Sequence, residues 1–266
     1  IMNSSFKYVP KYPVQTLGKA LDILNYIKDN PSSEGISLTE ISSALGIGKS
    51  GVHRLLDTLI AYDFVEKINS TSPAYRLGWG LFNAGNAVPK QHTLNGSSYT
   101  PIVEKLCNTF GETTNIGIMN NYETIIICKM EPARMLRTNT QVGEREPLYA
   151  TALGKLFLSD FSTEEIDAYL EKTQLSKMAA NTITNVDSLK LELDKIRSQN
   201  YAVDNEEFVD GMICLAMPIR DFTGHVVSGI SISGPAKRMT NDKIAEISPE
   251  LKDACKTISK FLGYIK

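Results

Sequence analysis

The sequence predicts a two-domain α+β chain: a winged helix-turn-helix near the N-terminal end, then a larger antiparallel sheet with helices packed on it. Three observations predict it. Residues 14–78 follow the order helix, helix, turn, helix, hairpin. Beyond Pro101 the pattern changes to hairpins and helices. The chain has 266 residues, long for one domain and ample for two.

Leu17, Ala20, Leu21, Leu24 and Ile27 recur at helical spacing and predict a first helix over residues 16–29. Asn30-Pro31-Ser32-Ser33-Glu34-Gly35 ends it with breakers. Ser37-Leu38-Thr39-Glu40 has the S-x-x-E form of a capping box, with Ser37 as N-cap of a short helix through Leu45. Gly46 suits the tight turn that follows, because glycine tolerates positive φ. A third helix over residues 49–62 has the apolar face Val52, Leu55, Leu56, Leu59 and Ile60. Residues 64–68 and 75–77 read as two strands joined by a polar tip at residues 69–73.

Residues 79–88 predict a connecting helix, and the polar stretch from Pro89 to Thr100, ending at Pro101, a hinge. The expected organisation is a flexible tail at 1–13, the winged helix-turn-helix at 14–78, a linker helix and hinge at 79–100, and a second domain at 101–266. In that domain, residues 114–119 and 124–128 flank Asn120-Asn121, a hairpin signal. Helical patterns occupy 152–159, 164–172 and 186–199. A second hairpin pairs 213–219 with 226–233 across Asp221-Phe222-Thr223-Gly224, and a last helix covers 241–262.

Composition narrows the function classes. Hydrophobic residues make up 42% and charged residues 22%, enough for a packed core. No stretch approaches the roughly 20 apolar residues of a membrane span. The first fifteen residues lack the apolar core of a secretory signal. Cys107, Cys128, Cys214 and Cys255 are scattered, with no C-x-x-C pair, which points to a reducing cytoplasm rather than a disulfide framework or zinc site. The net charge of -2 hides an asymmetry: residues 1–90 carry 9 Lys+Arg against 7 Asp+Glu, the rest 19 against 23. The basic excess is small, but it lies with the helix-turn-helix.

At about 100° per residue, Ser50, Arg54 and Asp57 lie opposite the apolar face of the third helix, His53 on its flank and Lys49 at its start. The N-terminal part of this helix is the part that enters a major groove. Arg54 can grip guanine through two hydrogen bonds. Lys49, Ser50 and His53 can reach phosphate or base edges, and Ser37, Thr39 and Lys67 are further candidate DNA contacts. A solvated outer face and a protein-binding winged helix remain alternatives for the same pattern.

The stretch LTEISSALGIGKSGVHRLLDTLIAYDFVEK, followed by YRLGWGLFNAG, resembles the IclR family of bacterial regulators. Further blocks follow in the family's order: GEREPL from Gly143, ATALGK from Ala150, NTIT from Asn181, YAVDNEE from Tyr201, Gly211 to Cys214, and SISGP from Ser231. The match runs from about Val14 to Gly263. The resemblance implies a GAF-like, effector-binding C-terminal domain, a dimer or tetramer, and a palindromic double-stranded DNA operator. Many members of that family repress genes for catabolism of their effector and some activate, so the resemblance implies a regulator, most often a repressor, released from or fixed on its operator by the effector, with no cofactor. By the same resemblance the effector, a small carboxylate, sugar acid or aromatic acid, meets Thr151, Ala152, Leu153, Asp204, Cys214, Ser231, Ile232 and Ser233. A helix start favours a carboxylate, because its first N–H groups have no partner within the helix. Ser231 and Ser233 share one strand face. Each residue also has an ordinary reading: Asp204 as a turn cap, Cys214 as a small buried residue, the serines as partners of backbone at a strand end. Two departures stand out. Gly48-Lys49-Ser50-Gly51 replaces the family's Pro-Lys-Ser-Thr, and Tyr149 stands where His is common, which implies an altered pocket.

Other chemistries find little support. His53, His92 and His225 are dispersed, and no G-x-S-x-G, phosphate loop or H-E-x-x-H occurs. The run Asp204-Asn205-Glu206-Glu207 lacks a partner cluster for a metal and reads as a solvated or capping loop. A thiol redox sensor remains a competitor, since it requires lowered thiol pKa values and access that sequence does not show.

Overall fold

The computed structural model describes residues 10–68, 73–91 and 96–265. The chain divides into two compact units, with the division after Leu94. Residues 1–9 of the expected tail, 69–72 of the expected wing tip, and 92–95 of the expected hinge, with His92, lie outside the described residues.

The smaller unit runs α1 (Gln15–Asp29), β1 (Ile36–Ser37), α2 (Leu38–Leu45), α3 (Lys49–Ala61), β2 (Val65–Ile68), β3 (Ala74–Leu77) and α4 (Trp79–Gln91). The capping box forms as its spacing demands: Ser37 Oγ accepts from Glu40 N–H at 3.2 Å, and Glu40 Oε2 accepts from Ser37 N–H at 2.8 Å. Gly46 ends α2 in the left-handed region at φ 65°. Ile23, Ile27, Ile41, Val52, Leu56, Val65 and Tyr75 close a single core. Leu17 and Leu21 do not join it: they are 57% and 50% exposed, so the buried stripe of α1 is narrower than its apolar pattern. The short strand β1 was not foreseen. It pairs with β3 and makes the wing a three-stranded sheet, order β1-β3-β2.

Backbone hydrogen bonds join the end of α3 to the start of α4. Asp63 takes φ 59°, which turns the chain back. Its carbonyl then accepts from Gly80 N–H at 2.8 Å, while the Phe64 carbonyl accepts from Gly78 N–H at 2.9 Å. A Cβ on Gly78 would stand 2.3 Å from the Asp63 carbonyl oxygen, and one on Gly80 2.7 Å from it. Neither glycine tolerates a side chain here.

The larger unit opens with α5 (Gly96–Phe110) and continues β4 (Thr113–Asn120), β5 (Glu123–Met130), β6 (Arg145–Pro147), α6 (Ala152–Ser159), α7 (Thr163–Lys172), α8 (Val186–Gln199), β7 (Ala202–Asn205), β8 (Met212–Arg220), β9 (Val226–Pro235) and α9 (Asn241–Phe261). Of the stretch expected to be a hinge, residues 89–91 belong to α4 and residues from 96 on to α5, and Pro101 lies inside α5, where a proline removes one backbone donor. The strands make one antiparallel sheet, order β6-β5-β4-β9-β8-β7. Helix α6, with α8 behind it, packs on one face; α5 and α9 pack on the other. The first hairpin turns on Asn121 and Tyr122, one residue later than expected, with both at positive φ (53° and 59°). Tyrosine is unusual there. Its ring is held against Phe161 and Tyr169, with centroids 6.1 Å away in each case.

Two glycine substitutions test this description. Gly78→Ala is expected to destabilise the chain by about 1–3 kcal/mol, since backbone must move. Gly18→Ala, in the interior of α1 with nothing within 4 Å of the new methyl, is expected to stabilise it by about 0.5–1 kcal/mol. Urea denaturation of the full chain measures both, and equal midpoints for the two variants contradict the junction geometry.

Candidate effector pocket and DNA-facing helix

One face of the large sheet carries the candidate site. Alternation along β9 turns Ser231 and Ser233 to the α6 side. Register sets Asn115 of β4 opposite Ser231, Cys214 of β8 opposite Ser233, and Asp204 of β7 opposite Cys214. Side chains from neighbouring strands thus form a row. Above it stands the start of α6. A cavity of about 380 Å³ lies between them, lined by Thr151, Ala152, Leu153, Asp204, Cys214, Ser231 and Ser233, among others.

Seven of the eight sequence-predicted effector residues therefore meet around one space. Ile232 is the correction: it is fully buried and is not among the lining residues. Lying between the two serines, it points to the opposite face of the sheet. Tyr149 also lies outside the cavity, contrary to what the family departure implied. Its ring is buried, and its hydroxyl donates to the Ser176 carbonyl at 2.8 Å. The run Asp204 to Glu207 is not a solvated loop, since Asp204 and Glu207 are 3% and 6% exposed. The turn-capping half of that reading holds: Asp204 Oδ1 accepts from Glu207 N–H at 2.8 Å.

The start of α6 is prepared for an anion. Thr151 caps the helix, its Oγ1 accepting from Gly154 N–H at 3.1 Å and donating to the Pro147 carbonyl at 3.0 Å. The first intrahelical bond is Lys155 N–H to the Thr151 carbonyl, 2.9 Å. The N–H groups of Ala152 and Leu153 come before that bond, in residues that line the cavity.

Buried charge surrounds this point. Lys155 is fully buried, and its ammonium donates to Glu207 Oε1 at 2.5 Å and to the Val203 carbonyl at 2.7 Å, with Glu192 3.7 Å away. Burial pushes the Asp204 carboxyl up to about 7; the hydrogen bond from Glu207 N–H and the attraction of Lys155 offset only part of the desolvation. Glu146, on β6, is pushed up to about 7 by burial, reinforced by the charges of Glu144 and Asp204. Glu146 and Asp204 stand on opposite edge strands yet line one cavity, so the sheet curls around it. Burial raises the Cys214 thiol well above its ordinary value, and burial also raises Cys107, Cys128 and Cys255. Neutral, desolvated thiols are poor nucleophiles, which counts against the redox-sensor reading.

In the smaller unit, Lys49, Ser50, His53 and Arg54 are all exposed on α3, and Thr39 and Lys67 are exposed on α2 and β2. Ser37 is half-buried and engaged as the N-cap. Lys49 and Arg54 form no ion pair among the described residues, whereas His53 Nδ1 lies 3.3 Å from Asp57 Oδ2. Gly48 leaves the N-terminus of α3 without a side-chain cap, so backbone N–H groups stand open there.

Sequence reading missed Asn115, Glu146 and Phe208 as lining residues, and Lys155 and Glu207 as their support. Asn115 left a signal: an asparagine within the run Thr113 to Met119 goes against strand preference and marks a position with another purpose. Glu146 left none among the charges of its block.

Two family models match the chain. One, described as the bacterial transcriptional regulator IclR C-terminal domain, covers residues 92–260, and the other, the IclR helix-turn-helix domain, covers residues 16–68. The chain belongs to the IclR family. It is therefore a DNA-binding transcription regulator and not an enzyme. Among relatives of this IclR member, the HTH-type transcriptional repressor AllR of Salmonella typhi is 35% identical over 250 residues, 94% of this chain and 90% of that protein. The HTH-type transcriptional regulator BhcR of Paracoccus denitrificans is 33% identical over 246 residues, 92% and 86% of the two chains. The crystal structure of the Thermotoga maritima IclR superposes with a TM-score of 0.82 at 33% identity, covering 95% of this chain and 100% of that one. An IclR homologue from Microbacterium hydrocarbonoxydans, complexed with 4-hydroxybenzoate, shares the fold at TM-score 0.80 and 18% identity, covering 93% of this chain and 99% of that one. No helix among the described residues of this IclR chain is long and apolar enough to cross a membrane.

Two experiments test the electrostatics. A carboxyl raised to about 7 keeps in the folded state a proton that the unfolded chain releases near its ordinary value, here 3.8 for Asp204. Its stabilisation is complete below about pH 4 and is lost as pH rises through 7. Asp204→Asn, which keeps the accepting Oδ1, is therefore expected to melt progressively higher relative to wild type between pH 5 and pH 8. A difference in melting temperature that stays flat with pH contradicts the burial assigned to Asp204. Lys155→Ala leaves Glu207 buried without its cation and is expected to cost about 3–5 kcal/mol. Adding Glu207→Leu should restore most of that loss in the same denaturation assay.

Proposed function

We propose that this regulator is a cytoplasmic repressor of catabolic genes, bound to a palindromic operator and released by a small carboxylate-bearing effector. One observation carries the reading. A cavity in the larger unit joins the N–H groups at the start of α6 to the hydroxyls of Ser231 and Ser233 and the carboxyl of Asp204. That set suits a compact ligand with an anionic end. AllR, named a repressor, supports the sign of regulation. The homologue complexed with 4-hydroxybenzoate, itself a carboxylate, supports the ligand class.

In the smaller unit, Arg54 reads a base edge, and Lys49, Ser50, His53, Thr39 and Lys67 contact phosphate or neighbouring bases, with Ser37 at the edge of that surface. The chain works as a dimer or a pair of dimers, with two α3 helices about 34 Å apart in successive major grooves. Exposed apolar side chains support self-association: Leu17 and Leu21 on α1, Trp79 and Phe82 on α4. The effector acts through the helix over residues 79–88 and the hinge that follows it. It shifts DNA affinity only as far as its own affinity differs between the DNA-competent and released states.

Arg54→Ala is expected to weaken operator binding by about 1–3 kcal/mol at fixed salt, read by fluorescence anisotropy on the chain's own upstream DNA. Equal affinity for variant and wild type refutes the base-reading role. The double variant Asp204→Ala, Ser233→Ala is expected to keep operator binding and lose release by metabolites. An intact release response excludes this cavity as the sensor.

A further inference from the structure

The row of polar side chains in the cavity continues past the serines. Asn115 is 3% exposed, lines the cavity, and its Oδ1 has no hydrogen-bond partner. Thr138, in the segment between β5 and β6, also lines the cavity with a buried, unpartnered Oγ1. Glu146 is 8% exposed and forms no ion pair among the described residues. The cations nearby are engaged elsewhere. Arg137 lies 3.2 Å from Glu131 and donates to the Arg134 carbonyl at 3.1 Å, and Lys155 turns its ammonium to Glu207. One part of the wall therefore presents two buried, unpartnered polar atoms, Asn115 Oδ1 and Thr138 Oγ1, beside the Glu146 carboxyl. Such atoms are costly unless something donates to them. An alkyl or plain aromatic acid leaves them unmatched, whereas hydroxyl groups match them.

We propose that Asn115 and Glu146 form an acceptor pole that selects a hydroxylated monocarboxylic acid as the effector. Its carboxylate meets the N–H groups of Ala152 and Leu153, and its hydroxyls donate to Asn115 Oδ1 and to the Glu146 carboxyl. The inference rests on the carboxylate reading of the α6 end given above. It adds two specificity-determining residues and a direction for the ligand. A site built to hydrogen-bond a hydroxyl rejects the analogue lacking it far more strongly than an apolar pocket rejects a missing methylene.

The test is calorimetric titration of the full chain with acids of matched carbon number: glycolate against acetate, glycerate against propanoate, threonate against butanoate and gluconate against hexanoate, with alanine as the ammonium counterpart of glycerate. We expect at least one hydroxy acid to bind tenfold or more tightly than its plain partner. Asn115→Leu and Glu146→Met should each bring that ratio below tenfold while changing affinity for the plain acid less than twofold. Should either variant fail to fold by circular dichroism, the wild-type ratios decide alone. Ratios below tenfold in every pair, or alanine binding more tightly than glycerate, overturn the acceptor pole and leave the carboxylate reading standing. No binding by any of these acids overturns both.

Discussion

The larger unit depends on one buried cation. Lys155 lies in the second turn of α6 with no solvent exposure, and its ammonium reaches the Val203 carbonyl on β7 and the Glu207 carboxylate just beyond it. Desolvating both charges is repaid only because the lysine has several acceptors at short range. The consequence is positional. The helix start that offers its N–H groups to a ligand is tied to the strand that carries Asp204, so both sides of the cavity keep a common frame.

The same burial explains why the cavity is chemically adaptable. Asp204 and Glu146, both pushed up to about 7, exchange protons near neutrality. Each can therefore donate as an acid or accept as a carboxylate, according to what enters. The thiol of Cys214, raised by burial, adds a neutral and weakly polar surface between them. These few polar groups stand among apolar neighbours, Ile126, Leu153, Phe208 and Met212.

Much of the architecture was legible because local chemistry and tertiary packing agree. The capping box at Ser37, the turn glycine Gly46, the apolar face of α3 and the alternation that puts Ser231 and Ser233 on one side all follow from spacing. Outside residues 92–95, the stretch read as a hinge is helical, because a polar composition does not exclude helix and Pro101 removes one backbone donor from α5 without ending it. The strands β1 and β6 were invisible because two or three residues carry no periodicity. Tyr122 at positive φ was invisible because the contacts that hold it, with Phe161 and Tyr169 among them, come from distant parts of the chain. Within the site, motif blocks pointed to the α6 end and to the serines. Asn115, Glu146 and the partnership of Lys155 with Glu207 needed the sheet order, which pairs Asn115 with Ser231 and brings Lys155 to Glu207, residues far apart in sequence. Ile232 was carried along by its neighbours in sequence and separated from them by the pleat.

The backbone clasp at Asp63 has a mechanical meaning. Because Gly78 and Gly80 admit the Asp63 carbonyl to within hydrogen-bond range, the last turn of α3 and the first turn of α4 share a fulcrum with no side chain to cushion it. Any tilt of the Trp79 end of α4 would therefore bear directly on the Asp63 carbonyl, with Gly78 and Gly80 as the points of contact.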